Sequence, residues 1–191
     1  MTDISELNGR GLVLIGCGRM GGALLDGWLK NGLRPGAVHV VDPNPRPDLS
    51  ALGVAVNGAL PPSPAVLVIA VKPQMMADVL PRLNVGADTL VISVAAGVTI
   101  AAYEAAFPGA AIVRTMPNTP AAIGQGITAI VGNARAGEGE LALAGALMSA
   151  VGRTVRLQDE EQMDAVTALS GSGPAYVFHL IEAMAAAGEA E

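Results

Sequence analysis

Six residues, Gly16-Cys17-Gly18-Arg19-Met20-Gly21, have the spacing G-x-G-x-x-G. Between a strand and a helix, the first glycine permits a tight turn. The second lets a pyrophosphate approach the backbone, and the third lets helix and strand pack closely. An anion held there meets unpaired N–H groups at the positive end of the helix. The pattern alone is weak in a chain with 24 glycines. Its context strengthens it: an apolar run precedes it, a helical spacing follows, and an acid, Asp42, ends the second apolar run about 20 residues on. The chemistry indicated is binding of a dinucleotide, with Ile15, Gly16, Gly18, Arg19, Met20 and Gly21 as its lining. A tight turn without a ligand is the plain alternative. A carboxylate at Asp42 suits the ribose hydroxyls of NAD(H). Asn44 and Arg46, just beyond, are placed to meet the 2′-phosphate of NADP(H), so the residues leave both cofactors open.

Other reactive side chains are sparse. Cys17 is the lone cysteine, with no convincing base beside it, and reads as a small packing residue. His39 and His179 have no ligand partner at useful spacing, which predicts structural roles and no metal.

The elements that must position these residues follow from hydrophobic pattern. Apolar runs at 11–16, 38–41, 54–56, 65–71, 89–95, 111–116, 127–131 and 153–157 predict strands. Met20, Leu24 and Trp28 recur every four residues, predicting a helix that Gly32 stops. A weak helical segment is expected near Asp48–Leu52. Further helices are expected from Pro73, over 99–107, over 139–151 and over 159–169. The stretch SGSGP should then break the chain before a last helix from Pro174. Strands alternating with helices predict an α/β fold, a doubly wound and mainly parallel Rossmann-type sheet. Two domains are expected: a dinucleotide-binding domain over 1–157, and the beginning of an α-helical dimerisation domain over 158–191. The closing residues carry no helix-stop signal, so the expectation is that this second domain is truncated.

Composition limits the partners. The 191 residues are 51% hydrophobic but only 3% aromatic, so the core must rest on aliphatic side chains. The formal charge of -6, without a basic cluster, argues against nucleic acid. No apolar run approaches the ~18 residues of a membrane span. One cysteine and no signal pattern lead to the expectation of a cytoplasmic protein.

Three later segments carry a resemblance. Ala70-Val71-Lys72-Pro73-Gln74, then Arg114-Thr115-Met116-Pro117-Asn118-Thr119-Pro120-Ala121, then Ala168-Leu169-Ser170-Gly171-Ser172-Gly173-Pro174-Ala175-Tyr176 follow the glycine loop in this order. SVAAGVTI (93–100) fits the same set. Together they resemble the pyrroline-5-carboxylate reductase family, over nearly the whole chain. The resemblance implies hydride transfer from NADPH or NADH to the cyclic imine pyrroline-5-carboxylate, giving L-proline. It adds Asn57, Ala70, Val71, Lys72, Pro73, Ala95 and Ala96 to the cofactor cleft. It implies a catalytic side formed by Asn118, Glu160, Ser170, Ser172 and Gly173. There Glu160 stabilises iminium charge or feeds a proton, and the SGSGP turn receives the substrate carboxylate. A solvated helix start is the plain alternative for Glu160. It also implies a homodimer or higher oligomer. The family continues into a longer helical domain with a Ser-Pro-Gly-Gly-Thr-type segment that is absent here, so low activity of this chain alone is expected. Two other readings are a non-catalytic NAD(P)-binding fragment and a small Rossmann reductase of the β-hydroxyacid dehydrogenase type. The second needs a catalytic lysine, and Lys30 and Lys72 are the only lysines.

Overall fold

The computed structural model describes residues 7–190. The apolar runs form the eight strands of one sheet: β1 (Leu12–Ile15), β2 (Val38–Val41), β3 (Ala55–Val56), β4 (Val66–Ile69), β5 (Leu90–Ser93), β6 (Ala111–Met116), β7 (Gly126–Gly132) and β8 (Gly152–Arg156). Their order is β3-β2-β1-β4-β5-β6-β7-β8. All neighbours pair in parallel except β6 with β7. The chain reverses its winding between β1 and β4, the place where open sheets of this type receive a ligand at their carboxyl ends.

β1, β4 and β5 are buried along their whole length, which explains runs such as VLVI with no polar alternation. Their side chains divide by parity. Leu12, Leu14, Val66 and Val68 join α2 (Arg19–Lys30) and α5 (Glu138–Ser149) through Leu24, Trp28 and Leu147. Val13, Ile15, Leu67 and Ile69 face α4 (Ile100–Ala106) with Tyr103 and Phe107. Trp28 Nε1 donates to the Leu147 carbonyl at 2.9 Å, tying α2 to α5. A short helix, α1 (Leu7–Arg10), precedes the sheet.

Three local expectations change. The segment near Asp48–Leu52 is a string of turns rather than a helix, closed by Leu52 N–H to Asp48 O and Val54 N–H to Leu49 O. Pro73 does start a helical stretch, but as a 3-10 turn (Pro73–Met75), then α3 (Met76–Val79), then a second 3-10 turn (Leu80–Arg82). Pro81 supplies no N–H to prolong α3. SGSGP does not break the helix. α6 (Gln162–Val166) runs through a π turn (Thr167–Gly171) into α7 (Gly173–Glu189). The Ser172 N–H reaches five residues back to Thr167 O at 2.8 Å. Widening the turn lets the chain pass Pro174, which has no N–H to donate, while Ser172 keeps helical angles.

Tyr103 is fully buried and its hydroxyl pairs with Ser93 Oγ, which also accepts the Ala95 N–H at 3.2 Å. Tyr103→Phe is expected to cost about 0.5–1.5 kcal/mol in urea unfolding at neutral pH. Burial raises the phenol's pKa, against opposing effects of the Ser93 hydrogen bond and Arg114. The folded chain therefore holds this proton more tightly than the unfolded one. Its contribution is complete below the ordinary phenol range near ~10 and drains away as pH rises above it. Tyr103→Phe should flatten that alkaline decline, and an identical decline in the variant would exclude Tyr103 as its source.

Candidate active site at the carboxyl edge of the sheet

The motif residues collect along one edge of the sheet, each just past a strand. Asp42 follows β2, Gly16 to Gly18 follow β1, Ala70 to Pro73 follow β4, Ala95 and Ala96 lie just past β5, and Asn118 lies past β6. The three loop glycines have separate reasons to be glycine. Gly16 has φ +89°, and a Cβ there would stand 2.9 Å from both Ala70 O and Val71 Cγ1. A Cβ on Gly21 would lie 2.2 Å from Gly16 O, so the helix start could not approach the strand. Gly18 meets no atom within 4 Å, which leaves open space above the loop. α2 has no side-chain cap, so its first N–H groups stay available to an anion. The room above Gly18, these donors and the nearby acid fit a dinucleotide.

Asp42 is fixed beside the loop. Its Oδ2 accepts from Cys17 N–H at 2.6 Å and its Oδ1 from Asn44 N–H at 2.8 Å. Asn57, a non-glycine residue at φ +51°, braces the same residue: its Oδ1 accepts Asp42 N–H and its Nδ2 donates to Asp42 O. Lys72 is exposed and precedes the turn that begins at Pro73. Arg19 is exposed and Met20 half-buried on the first turn of α2. The Cys17 thiol is buried, and burial pushes its pKa up, with Asp42 adding to the rise. That makes it a poor nucleophile. Among the described residues no cluster of His, Cys, Asp or Glu is built to hold a metal.

On the other side of the edge, the segment after residue 158 docks onto the end of β6. Arg114, only 5% exposed, donates through Nη1 to Glu160 Oε1 at 2.6 Å. The same oxygen accepts Ile100 N–H at 2.8 Å. Asn118 Nδ2 lies 3.4 Å from Ser170 O and 3.5 Å from Ser170 Oγ, and its Oδ1 accepts Ile127 N–H. Gly171 packs against the Met116 methyl, and a Cβ there would lie 2.7 Å from it, so the methionine end would have to shift. Glu160 thus pairs with Arg114 and Ile100, and Asn118 with Ser170 and Ile127, two separate contacts that engage most of the polar groups of Glu160 and Asn118. The chain stays helical through this turn and the Ser172 N–H is committed to Thr167 O, so that one donor is not free for an anion. A depression of about 650 Å³ bounded by Arg10, Thr89, Arg135 and Glu140 lies at the opposite edge, and no motif residue lines it.

Two family patterns match parts of the chain. The family pattern "NADP oxidoreductase coenzyme F420-dependent" matches residues 11–97, and the pattern "Pyrroline-5-carboxylate reductase dimerisation" matches residues 160–191. A pyrroline-5-carboxylate reductase from Haemophilus influenzae is 42% identical over 183 residues, 91% of this chain and 67% of the relative. The chain belongs to the pyrroline-5-carboxylate reductase family. One from Synechocystis is 52% identical over 124 residues, 64% of this chain and 46% of that protein. Among solved structures, a Plasmodium falciparum pyrroline carboxylate reductase with NADP bound superposes with a TM-score of 0.79 at 27% identity, covering 95% of this chain and 70% of the other. The chain spans about two thirds of the length of its Haemophilus relative and under half of the Synechocystis one. As a pyrroline-5-carboxylate reductase by family, it is an NAD(P)H-dependent oxidoreductase with a Rossmann fold.

Sequence reasoning missed Arg114 as the partner of Glu160. The signal was present: an arginine inside the apolar strand AIVRTM must be buried, and a buried cation needs an acid. It also missed Asp26 and Asp48, which hold Arg46.

Proposed function

We propose that this edge reduces pyrroline-5-carboxylate to L-proline, with the dinucleotide lying from Asp42, across the glycine loop, to Ala95 and Ala96, and the imine held between that end and the segment Glu160–Gly173. The observation that carries the reading is the docking of Glu160 and Ser170 onto the end of β6, next to the loop that follows β5. The cofactor, when bound, supplies a hydride from nicotinamide C4 to the imine carbon. The protein's part is to orient the two partners and exclude water. Asp42 takes the adenosine ribose, the N–H groups of the first turn of α2 take the pyrophosphate, and Val71, Lys72, Pro73, Ala95 and Ala96 border the nicotinamide half. The hydroxyls of Ser170 and Ser172, with Gly173 leaving space, face the substrate carboxylate. Glu160 is anchored through Oε1, and its Oε2 accepts no hydrogen bond among the described residues. That second oxygen stands ready to stabilise the protonated imine, whose ring nitrogen keeps the proton in the product.

Residues 1–157 form the dinucleotide-binding domain in this reading, and 158–191 belong to the helical domain. Tyr176, Val177, Phe178, Leu180, Ile181 and Met184 of α7 are all exposed, a face that a second copy of the chain covers in the homodimer. Among the described residues no helix is long and apolar enough to cross a membrane, and a single thiol suits a reducing, cytoplasmic setting.

Glu160→Gln separates anchoring from charge. Glutamine keeps an acceptor for Arg114 and Ile100 N–H but carries no charge. We expect kcat to fall by ~10–100-fold with dinucleotide affinity unchanged. An unaltered kcat would reduce Glu160 to an anchor.

A further inference from the structure

The segment 42–48, DPNPRPD, carries one cation, and that cation is already engaged. Arg46 donates from Nη1 and Nη2 to the two oxygens of Asp26 at 2.7 and 2.8 Å. It donates from Nε and Nη2 to Asp48 at 3.1 and 3.0 Å. Two forked pairs use four of the five N–H groups of the guanidinium. Asp26 comes from α2 and Asp48 from the turns after β2, so the clamp ties the loop to the helix. It sits over the first turns of α2, since a Cβ on Gly22 would lie 3.6 Å from Arg46 Nη1. The same Cβ would lie 3.6 Å from Cys17 O, which places the clamp beside the glycine loop.

We propose that the Asp26–Arg46–Asp48 clamp is a selectivity device: it withholds Arg46 from an adenosine 2′-phosphate and makes NADH the preferred cofactor of this chain. An adenosine ribose seated on Asp42 directs its 2′ position toward segment 43–46. The 2′-hydroxyl of NADH can donate to the Asp42 carboxylate. A 2′-phosphate has no such proton, and it meets Asp42 with Asp26 and Asp48 close behind. Arg46 has one N–H left on Nη1, so it can offer that phosphate a two-pronged fork only by releasing one of its carboxylates. Arg19, exposed at the start of α2, stands at the helix end whose N–H groups suit the pyrophosphate that both cofactors carry.

The inference rests on the dinucleotide reading of the glycine loop, and one experiment separates the two. NADH and NADPH are titrated into the chain by calorimetry, for the unchanged protein, for Asp26→Asn with Asp48→Asn, and for those two combined with Arg46→Met. The first two replacements keep the shape of side chains that are 55% exposed, and a thermal melt checks that each variant is folded. The unchanged chain is expected to bind NADH at least about tenfold more tightly than NADPH. The double replacement should improve NADPH binding by about tenfold, and adding Arg46→Met should cancel that gain. Equal or tighter binding of NADPH by the unchanged chain overturns the proposal. So does a NADH/NADPH ratio that the double replacement leaves in place. Binding of neither cofactor overturns the glycine-loop reading, and the clamp's role with it.

Discussion

Gly18→Val is expected to weaken dinucleotide binding by at least ~100-fold, about 2.7 kcal/mol, while the protein stays folded. Both halves of that result follow from local geometry. Gly18 has φ -70° and ψ -154°, an extended conformation open to valine, and its Cβ position meets no protein atom within 4 Å. The free protein therefore tolerates the side chain. The same space is where a pyrophosphate must approach the N–H groups of α2, and the valine methyls fill it. Titration calorimetry with a thermal melt on the same sample checks both halves. Unchanged affinity would mean that the open space over the loop is not the phosphate site. Gly21→Val would be less informative, because its Cβ collides with Gly16 O whether or not a ligand binds.

Arg114→Met is expected to act on the other side of the edge. It leaves Glu160 with Ile100 N–H as its remaining anchor and removes the charge that matched it. Breaking a buried pair by deleting one partner costs roughly 3–5 kcal/mol. Glu160 is 28% exposed and can rehydrate, so a loss of about 2–4 kcal/mol in urea unfolding is expected here. A shift of about 1 Å in the docked segment should lower kcat by ~100-fold. Dinucleotide affinity should change little, because the glycine loop, Asp42 and Asn57 are bonded independently of Arg114. Pairing Arg114→Met with Glu160→Leu should recover most of the stability and none of the activity. Stability unaffected by the single change would show that the pair anchors nothing.

The two halves of the site differ in how far they could be read from sequence, and the reason is physical. The glycine loop works through backbone: its turn, its N–H groups and its close approach to Ala70 depend on missing side chains, which spacing alone reveals. The strands were equally plain, because runs such as LVLI and VLVI have no polar face to mislead. The substrate side depends on side chains that meet across long stretches of chain. Arg114 reaches Glu160 46 residues away, and Asn118 reaches Ser170 across 52. Asn118 could be expected near the cleft, but not that its amide would be taken up by Ser170 and Ile127. SGSGP read as a break because Gly and Pro usually end helices. Docking of Gly171 against Met116 and the bond from Ser172 to Thr167 keep the helix running as a π turn instead. Arg46 was likewise visible as a cation near the ribose, whereas Asp26, on the neighbouring helix, gave no hint that it would bind it.

The central claim is that one edge of this sheet brings a reduced nicotinamide and pyrroline-5-carboxylate together for direct hydride transfer. A single-turnover reaction tests it most directly, with the chain in excess over NADH that is deuterated at nicotinamide C4 and with pyrroline-5-carboxylate added. Excess protein makes the outcome independent of product release. Deuterium is expected at the former imine carbon of L-proline, formed in step with NADH oxidation and lost in Gly18→Val. NADH that binds but stays reduced in the presence of the imine, with no labelled proline, would contradict it and leave a dinucleotide-binding module without this chemistry.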